Sequence, residues 1–319
     1  MEVYDMSRRL QMPFTILARL SAVLVLSLAG CSALSEVDSN PSIDFSLREP
    51  LPEVGSIEPQ PLRIAVAAIL SPEGTVESYT ELAEYLGEQL GRPAQIVQRR
   101  TYAEVNALIA ANEVDVAFVC TSAYVAGHDR SIMDLLVIPE IAGETVYRSA
   151  LIVPASSSAM SMEDLRGASF AFTDPMSLTG RVYPTHRLLQ LGESPDEFFS
   201  ETIFTYGHDR AIEAVAARVV DGAAVDQLVL TNMLRSDRSL AGRIRVIEVS
   251  PDFGIPPVVV PSGTPASIRV AFEELLMGLT DHPAGLRILA DLGVDRFVLG
   301  TDQAYDGART MVYETGFGS

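Results

Sequence analysis

Lysine is absent from this chain: all 23 basic residues among its 319 are arginine. A Schiff-base lysine and a phosphate-loop lysine are thereby excluded. Cysteine is almost absent, with Cys31 and Cys120 alone, too few for a disulfide framework or a cysteine-rich zinc site. The four histidines, His128, His186, His208 and His282, are too scattered to suggest a metal cluster. Positive charge is scarce. Against 42 acidic residues the 23 arginines leave a formal net charge of −19, so nucleic-acid binding through phosphate neutralisation is not expected and any anion must be caught locally. There is no G-x-S-x-G elbow, no H-E-x-x-H, no Walker loop and no dinucleotide fingerprint. Neither a cofactor, nor a metal, nor catalysis is expected. No repeat of solenoid type stands out.

What is present suffices for a large core: 48% hydrophobic and 20% charged residues exclude disorder throughout and suit one large domain or two linked lobes. Arg8, Arg9 and Arg19 precede the apolar run 20–28, which is too short for a stable membrane span and fits an export signal. It ends Leu28-Ala29-Gly30-Cys31, which resembles a bacterial lipoprotein signal. The expectation is a signal peptide over 1–30, a lipid on Cys31 and a body held outside the cytoplasmic membrane. An ordinary secretory signal with a chance cysteine is the alternative. Residues 31–61, rich in Ser, Glu, Asp and Pro, read as a flexible tether.

From Leu62 onward strand-like and helical patterns alternate. Residues 62–68, 94–97, 114–119 and 135–138 read as strands, and 77–90 and 101–112 as helices, the first with Tyr79, Leu82, Tyr85, Leu86 and Leu90 on one stripe. A second series follows Val153: strands at 169–172, 202–205 and 223–225, helices near 162–165, 180–191 and 209–219. Strands at 244–249 and 257–260 and amphipathic helices at 268–279 and 285–292 complete the chain. Alternation of this kind implies mainly parallel α/β sheets. The expected organisation is one lobe over 62–152 plus 254–319 and a second over 153–253, with crossings near 150–156 and 248–258.

Ligands of open α/β sheets lie beyond the carboxyl ends of strands, so the polar residues there are the candidates. The first strand leads into Ser71-Pro72-Glu73-Gly74-Thr75, and the third into Cys120-Thr121-Ser122-Ala123-Tyr124. In the second series Phe172 leads into Thr173-Asp174-Pro175-Met176-Ser177-Leu178-Thr179-Gly180, and Thr205 into Tyr206-Gly207-His208-Asp209. Ser177, Thr179 and Gly180 at a helix start offer hydroxyls and unpaired N–H groups, a cradle for an oxyanion without lysine; simple capping by Ser or Thr is the alternative. His208 can donate to an anion, with Asp209 as a cap. Asp226, after the strand 223–225, reads either as a ligand or histidine partner or as a helix cap. Thr121 and Ser122 add hydroxyls from the first lobe. Tyr124 and Tyr79 either reach a ligand or pack the core, and Cys120 is either a buried apolar residue or a reactive thiol.

The run Asp174-Pro175-Met176-Ser177-Leu178-Thr179-Gly180 with Tyr183-Pro184, His208-Asp209-Arg210-Ala211-Ile212, Ala223-Ala224-Val225-Asp226, and Asp115 to Val119 with Tyr124-Val125 resemble the ordered motifs of the phosphate, phosphite and phosphonate binding proteins of ABC transporters. The similarity extends over about 62–300. It implies a bilobed α/β fold of the type II periplasmic-binding-protein kind that closes like a hinge. It also implies an oxyanion surrounded by Ser177, Thr179, the Gly180 N–H, Tyr124 and His208, with Asp226 in support. The expected function is that of a monomeric, lipid-anchored solute-binding protein that hands a phosphorus oxyanion to an ABC permease. Near the second crossing Ser250-Pro251-Asp252-Phe253-Gly254-Ile255-Pro256 departs from the family pattern in the placing of its acid, leaving open whether Asp252 substitutes. A sensor subunit reporting an oxyanion, or arsenite through Cys120, to a membrane histidine kinase is the alternative, and a phosphoester hydrolase using His208 and Asp209 a further one.

Overall fold

The computed structural model describes residues 59–69 and 72–317. The expected signal peptide, the lipidated Cys31 and all but the end of the tether lie outside them. The chain runs β1 (Leu62–Val66), α1 (Pro72–Leu90), β2 (Ala94–Gln98), α2 (Tyr102–Ala110), β3 (Val116–Phe118), α3 (Thr121–His128) and β4 (Met133–Glu140), then enters a short strand β5 (Val146–Tyr147). There follow β6 (Ser149–Pro154), β7 (Ser169–Phe172), α4 (Tyr183–Gln190), α5 (Pro195–Phe198), β8 (Glu201–Phe204), α6 (His208–Ala216), β9 (Gly222–Asp226), α7 (Gln227–Ser236) and β10 (Ile244–Val249). The chain returns through β11 (Phe253–Gly254) to β12 (Val258–Pro261), α8 (Ala266–Met277), α9 (Pro283–Leu292), β13 (Arg296–Val298) and α10 (Asp306–Glu314).

Two sheets result. The first is ordered β13-β4-β12-β3-β1-β2 and the second β10-β6-β9-β7-β8, while β5 and β11 pair antiparallel between them. Each sheet is mixed rather than mainly parallel, for a shared reason: β6 and β12 are the strands that enter directly from a crossing, and each runs antiparallel to both its neighbours. The first crossing differs from the expected one. Ala150 to Ile152 already pair with Val225 to Ala223 in the second sheet, so the change of lobe falls at Tyr147–Ser149 rather than at 150–156. The apolar run Ser149–Pro154 carries no Gly or Pro break at its start, and that concealed the boundary.

One face of the first sheet packs Ile64, Val66, Val258 and Val260 against Leu82 and Leu86 of α1 and Phe272 and Leu276 of α8. The opposite face belongs to a cluster that continues from Tyr102, Ile109 and Val119 of the first lobe to Leu178, Val182 and Tyr183 of the second. A hydrophobic core therefore spans the two lobes. Polar contacts cross with it: the Tyr102 N–H donates to Asp174 Oδ2 at 3.1 Å, the His208 N–H to the Ile69 carbonyl at 3.0 Å, and the Ser122 hydroxyl to the Met176 carbonyl. The lobes are closed on each other.

The crossing is braced as well as paired. Thr121 donates to the Gly254 carbonyl at 2.8 Å, tying the start of α3 to β11. A Cβ on Gly254 would lie 2.7 Å from the Ala304 carbonyl oxygen and 3.1 Å from the Tyr305 ring, so only glycine lets the segment before α10 pack on the crossing strand. Gly254→Ala is expected to destabilise the protein by about 1–3 kcal/mol, the usual cost of overpacking, read as a lower urea midpoint at unchanged slope.

Candidate functional site

The chain leaves β7 at Phe172 and turns through Asp174, whose Oδ1 accepts the Met176 N–H at 2.7 Å. Ser177 then caps a wide turn, Leu178–Val182, in which the Val182 N–H reaches back five residues to the Ser177 carbonyl at 2.9 Å. This π turn, absent from the sequence reading, precedes α4; such turns are frequent at functional sites. The Gly180 N–H donates to Ser177 Oγ at 3.0 Å, so it serves the cap and not the expected oxyanion contact. A Cβ on Gly180 would lie 1.9 Å from Thr173 Oγ1: glycine is needed here for packing.

His208 opens α6 and is buried. Its approach is strained, since Tyr206 sits in the left-handed region at φ 54°, a conformation costing about 1–3 kcal/mol for a non-glycine residue. The Asp226 N–H donates to His208 Nδ1 at 2.8 Å. Burial pushes the imidazole down to about 3, so the ring is neutral and its one proton is on Nε2, 3.4 Å from Ser177 Oγ. With Gly180 and His208 both pointing donors at Ser177 Oγ, the hydroxyl proton of Ser177 remains to be donated elsewhere.

Asp226 ends β9 and caps α7, accepting the Leu228 N–H at 2.7 Å. Burial with no compensating cation raises its carboxyl to about 7, although N–H bonds from Leu228 and Val229 oppose the rise. Tyr102 Oη, Tyr147 Oη and Thr179 Oγ1 are buried hydroxyls that make no well-formed hydrogen bond, although Ser177 stands within reach of the first and Thr121 of the second. Burial drives both phenols well above their ordinary range, with Cys120 and Asp226 among the neighbours that add to the effect for each. The Tyr102 phenol is near the Ser177 hydroxyl and the Tyr147 phenol near that of Thr121. A desolvated hydroxyl left unpaired costs about 1–3 kcal/mol. A cluster of neutral donors around a titratable carboxyl has the chemistry to meet a small oxyanion: a carboxyl titrating near 7 can donate when protonated or accept when ionised.

Ser177, His208 and Asp226 are brought together here, and the Thr179 carbonyl accepts from Ser149, the residue paired with Asp226. Tyr124 is not among them, which corrects the sequence expectation: its hydroxyl donates to Asp302 Oδ1 at 2.9 Å, and its ring stacks on His128 and packs against Tyr305. Asp302, ahead of α10, captures the phenol on the far side of α3. Thr121 and Ser122 brace the crossing and the lobe contact described above. Tyr79 packs edge-on against Phe118 at 5.0 Å, and burial pushes its phenol up to about 12; it lines a cavity of about 530 Å³ that also reaches Tyr147 and Asp226. Cys120 is buried, and burial raises its thiol above the ordinary value, so it is a neutral thiol. Tyr102 and Tyr147 went unread. Tyr102 follows the end of β2, and the strand-end rule applied to the first and third strands would have found it; Tyr147 sits in a two-residue crossing strand that nothing local announces. Among the described residues no group of three or more His, Cys, Asp or Glu is placed to hold a metal.

Comparison with known proteins gives the family and the fold. Residues 64–305 match the family model described as periplasmic substrate-binding protein of a phosphonate ABC transporter. A curated relative, the phosphate-import protein PhnD of Mycolicibacterium smegmatis, is 30% identical over 209 residues, covering 61% of this chain and 65% of its own length. Among solved structures, the binding-protein component of an ABC phosphonate transporter from Pseudomonas aeruginosa superposes with a TM-score of 0.76 at 19% identity, covering 82% of this chain and 88% of that one. The methylphosphonate complex of PhnD1 from Prochlorococcus marinus gives 0.72 at 15%, covering 80% and 98%. The shared fold is the two-lobed type II architecture of periplasmic binding proteins.

The buried carboxyl gives the site a pH signature. A group raised from 3.8 to about 7 on folding contributes stability that is fully present below its unfolded pKa and is lost as pH rises through the folded one. Asp226→Asn keeps an oxygen for capping and removes the titration. Relative to this variant, the native chain is expected to lose stability between pH 4 and pH 7, by up to about 1.4 kcal/mol per pH unit. Urea unfolding at pH 4.5 and 6.5 checks the sign.

Proposed function

The chain belongs to the periplasmic substrate-binding proteins of phosphonate ABC transporters, and we propose that it captures a small phosphorus oxyanion, phosphonate, phosphite or phosphate, between its lobes and presents the closed form to an ABC permease. The observation that carries this reading is the set of buried hydroxyls without partners, Tyr102, Tyr147 and Thr179, gathered with Ser177, neutral His208 and Asp226. Tyr102 comes from one lobe, Tyr147 from the crossing and the rest from the other lobe. A ligand bonded by all of them favours the closed state over the open one, which is the condition for ligand-driven closure.

Two features disfavour the other readings. Burial pushes the His208 imidazole down to about 3, far from the near-neutral value that suits a general base. Cys120 is a neutral buried thiol, and only a thiolate makes a strong metalloid or metal ligand. In the proposed life of the protein the 1–30 segment is removed, Cys31 carries the lipid, and a monomeric body works on the outer side of the membrane. No helix among the described residues is long and apolar enough to cross a membrane.

Calorimetric titration with phosphate, phosphite and a series of phosphonates of increasing substituent size tests the proposal: one of them is expected to bind at micromolar or tighter Kd, and no heat from any would refute it. Ser177→Ala combined with Thr179→Ala is expected to weaken that ligand at least about tenfold, or about 1.4 kcal/mol. Tyr102→Phe and Tyr147→Phe make a sharper pair. Each removes an unpaired buried hydroxyl, so the unliganded protein is expected to keep or gain stability while affinity falls about tenfold. Unchanged affinity in both would remove them from the site.

A further inference from the structure

The hydroxyl cluster does not end the interlobe space: Tyr147 and Asp226 are also part of the wall of the cavity of about 530 Å³ between α1 and the strand ends of the first lobe on one side and α7 on the other. A tetrahedral oxyanion has the bulk of a few waters, each with a share of about 30 Å³ in the liquid, so most of this volume lies beyond it. The wall is mainly carbon. Tyr79 meets Phe118 edge-on at 5.0 Å and Phe118 meets Phe297 edge-on at 6.4 Å, forming an aromatic ladder. Facing it are Leu228 from α7 and Ile255 and Pro256 from the second crossing.

The charges in the lining argue against a cationic guest. Asp252, the acid nearest the proline of the second crossing, pairs with Arg148 of the first at 2.5 Å, so its charge is already met. Asp226 caps α7, and Glu144, Arg235 and Asp291 are exposed, where water screens them. Among the described residues the one buried carboxyl of the wall is Asp226, which belongs to the head site and already accepts the Leu228 N–H at the start of α7, whereas an apolar group finds rings and aliphatic side chains.

We infer, resting on the oxyanion-capturing role above, that the ligand is a phosphonate whose carbon substituent is a large uncharged apolar group, seated on the Tyr79-Phe118-Phe297 ladder while the phosphonate head occupies the hydroxyl cluster. The specificity-determining residues are then Tyr79, Phe118, Leu228 and Phe297. Phosphate and methylphosphonate fill the head site alone.

Titration of the full chain with phosphate, methylphosphonate, 2-aminoethylphosphonate and benzylphosphonate decides the matter. Benzylphosphonate is expected to bind at least about tenfold more tightly than the other three, from the added apolar surface removed from water. Leu228→Trp fills the cavity from α7, and the ratio of benzylphosphonate to methylphosphonate affinity is expected to fall about tenfold; the ligand series on the native chain stands whether or not this variant folds. Phosphate, methylphosphonate or aminoethylphosphonate binding as tightly as benzylphosphonate overturns the substituent assignment and leaves the oxyanion reading intact. Silence toward all four overturns the oxyanion reading, and the assignment with it.

Discussion

A folded chain rarely buries a hydroxyl without a partner, because the lost bonds to water cost about 1–3 kcal/mol each. Here Tyr102 Oη, Tyr147 Oη and Thr179 Oγ1 are among the buried hydroxyls that make no well-formed hydrogen bond, and the first two share Asp226 as a neighbour. The closure that hides them rests on the shared core of the two lobes and on the Tyr102–Asp174, His208–Ile69 and Ser122–Met176 contacts. Closing an empty cleft leaves the hydroxyls stranded, while closing it on an acceptor-rich ligand satisfies them. In the proposed role, the same groups that penalise the closed empty state stabilise the closed liganded one, which is the difference in affinity that ligand-driven closure requires.

The site meets an anion without placing a cation on it. Arg181, within the π turn, lies over the Phe172 ring at 4.1 Å; the histidine is neutral, and the buried carboxyls of Asp174 and Asp226 are raised to about 6 and about 7. In the proposed site, oriented dipoles in a water-poor space take the place of a cation. The net charge of −19 acts on an incoming anion only within a Debye length of about 8 Å at physiological salt, whereas the hydroxyls act at bonding distance. Neutral donors also suit a ligand whose protonation changes near neutral pH, since hydroxyls can donate or accept.

Much of this was legible in the residues, and what escaped has physical causes. Ser177, Thr179, His208 and Asp226 follow strand ends, so position and chemistry pointed the same way. Gly180 was noticed for the wrong reason: the constraint is Thr173, a neighbour across the turn. Tyr124 was misplaced because its partner, Asp302, is distant in sequence and precedes α10, a helix the pattern did not reveal. Tyr147 was missed because β5 is a strand only through its pairing with β11, and the mixed sheets were missed because strand direction depends on where a crossing delivers the chain. Periodicity reports which face of an element is buried; it does not report which element lies opposite.

The most direct measurement is a crystal structure of the protein grown with the phosphorus oxyanion it binds most tightly. The account predicts ligand oxygens at about 2.6–3.2 Å from Tyr102 Oη, Tyr147 Oη, Thr179 Oγ1 and Ser177 Oγ, with the lobes closed. An anion bound elsewhere, with the Tyr102 and Tyr147 hydroxyls turned to protein partners of their own, would contradict it.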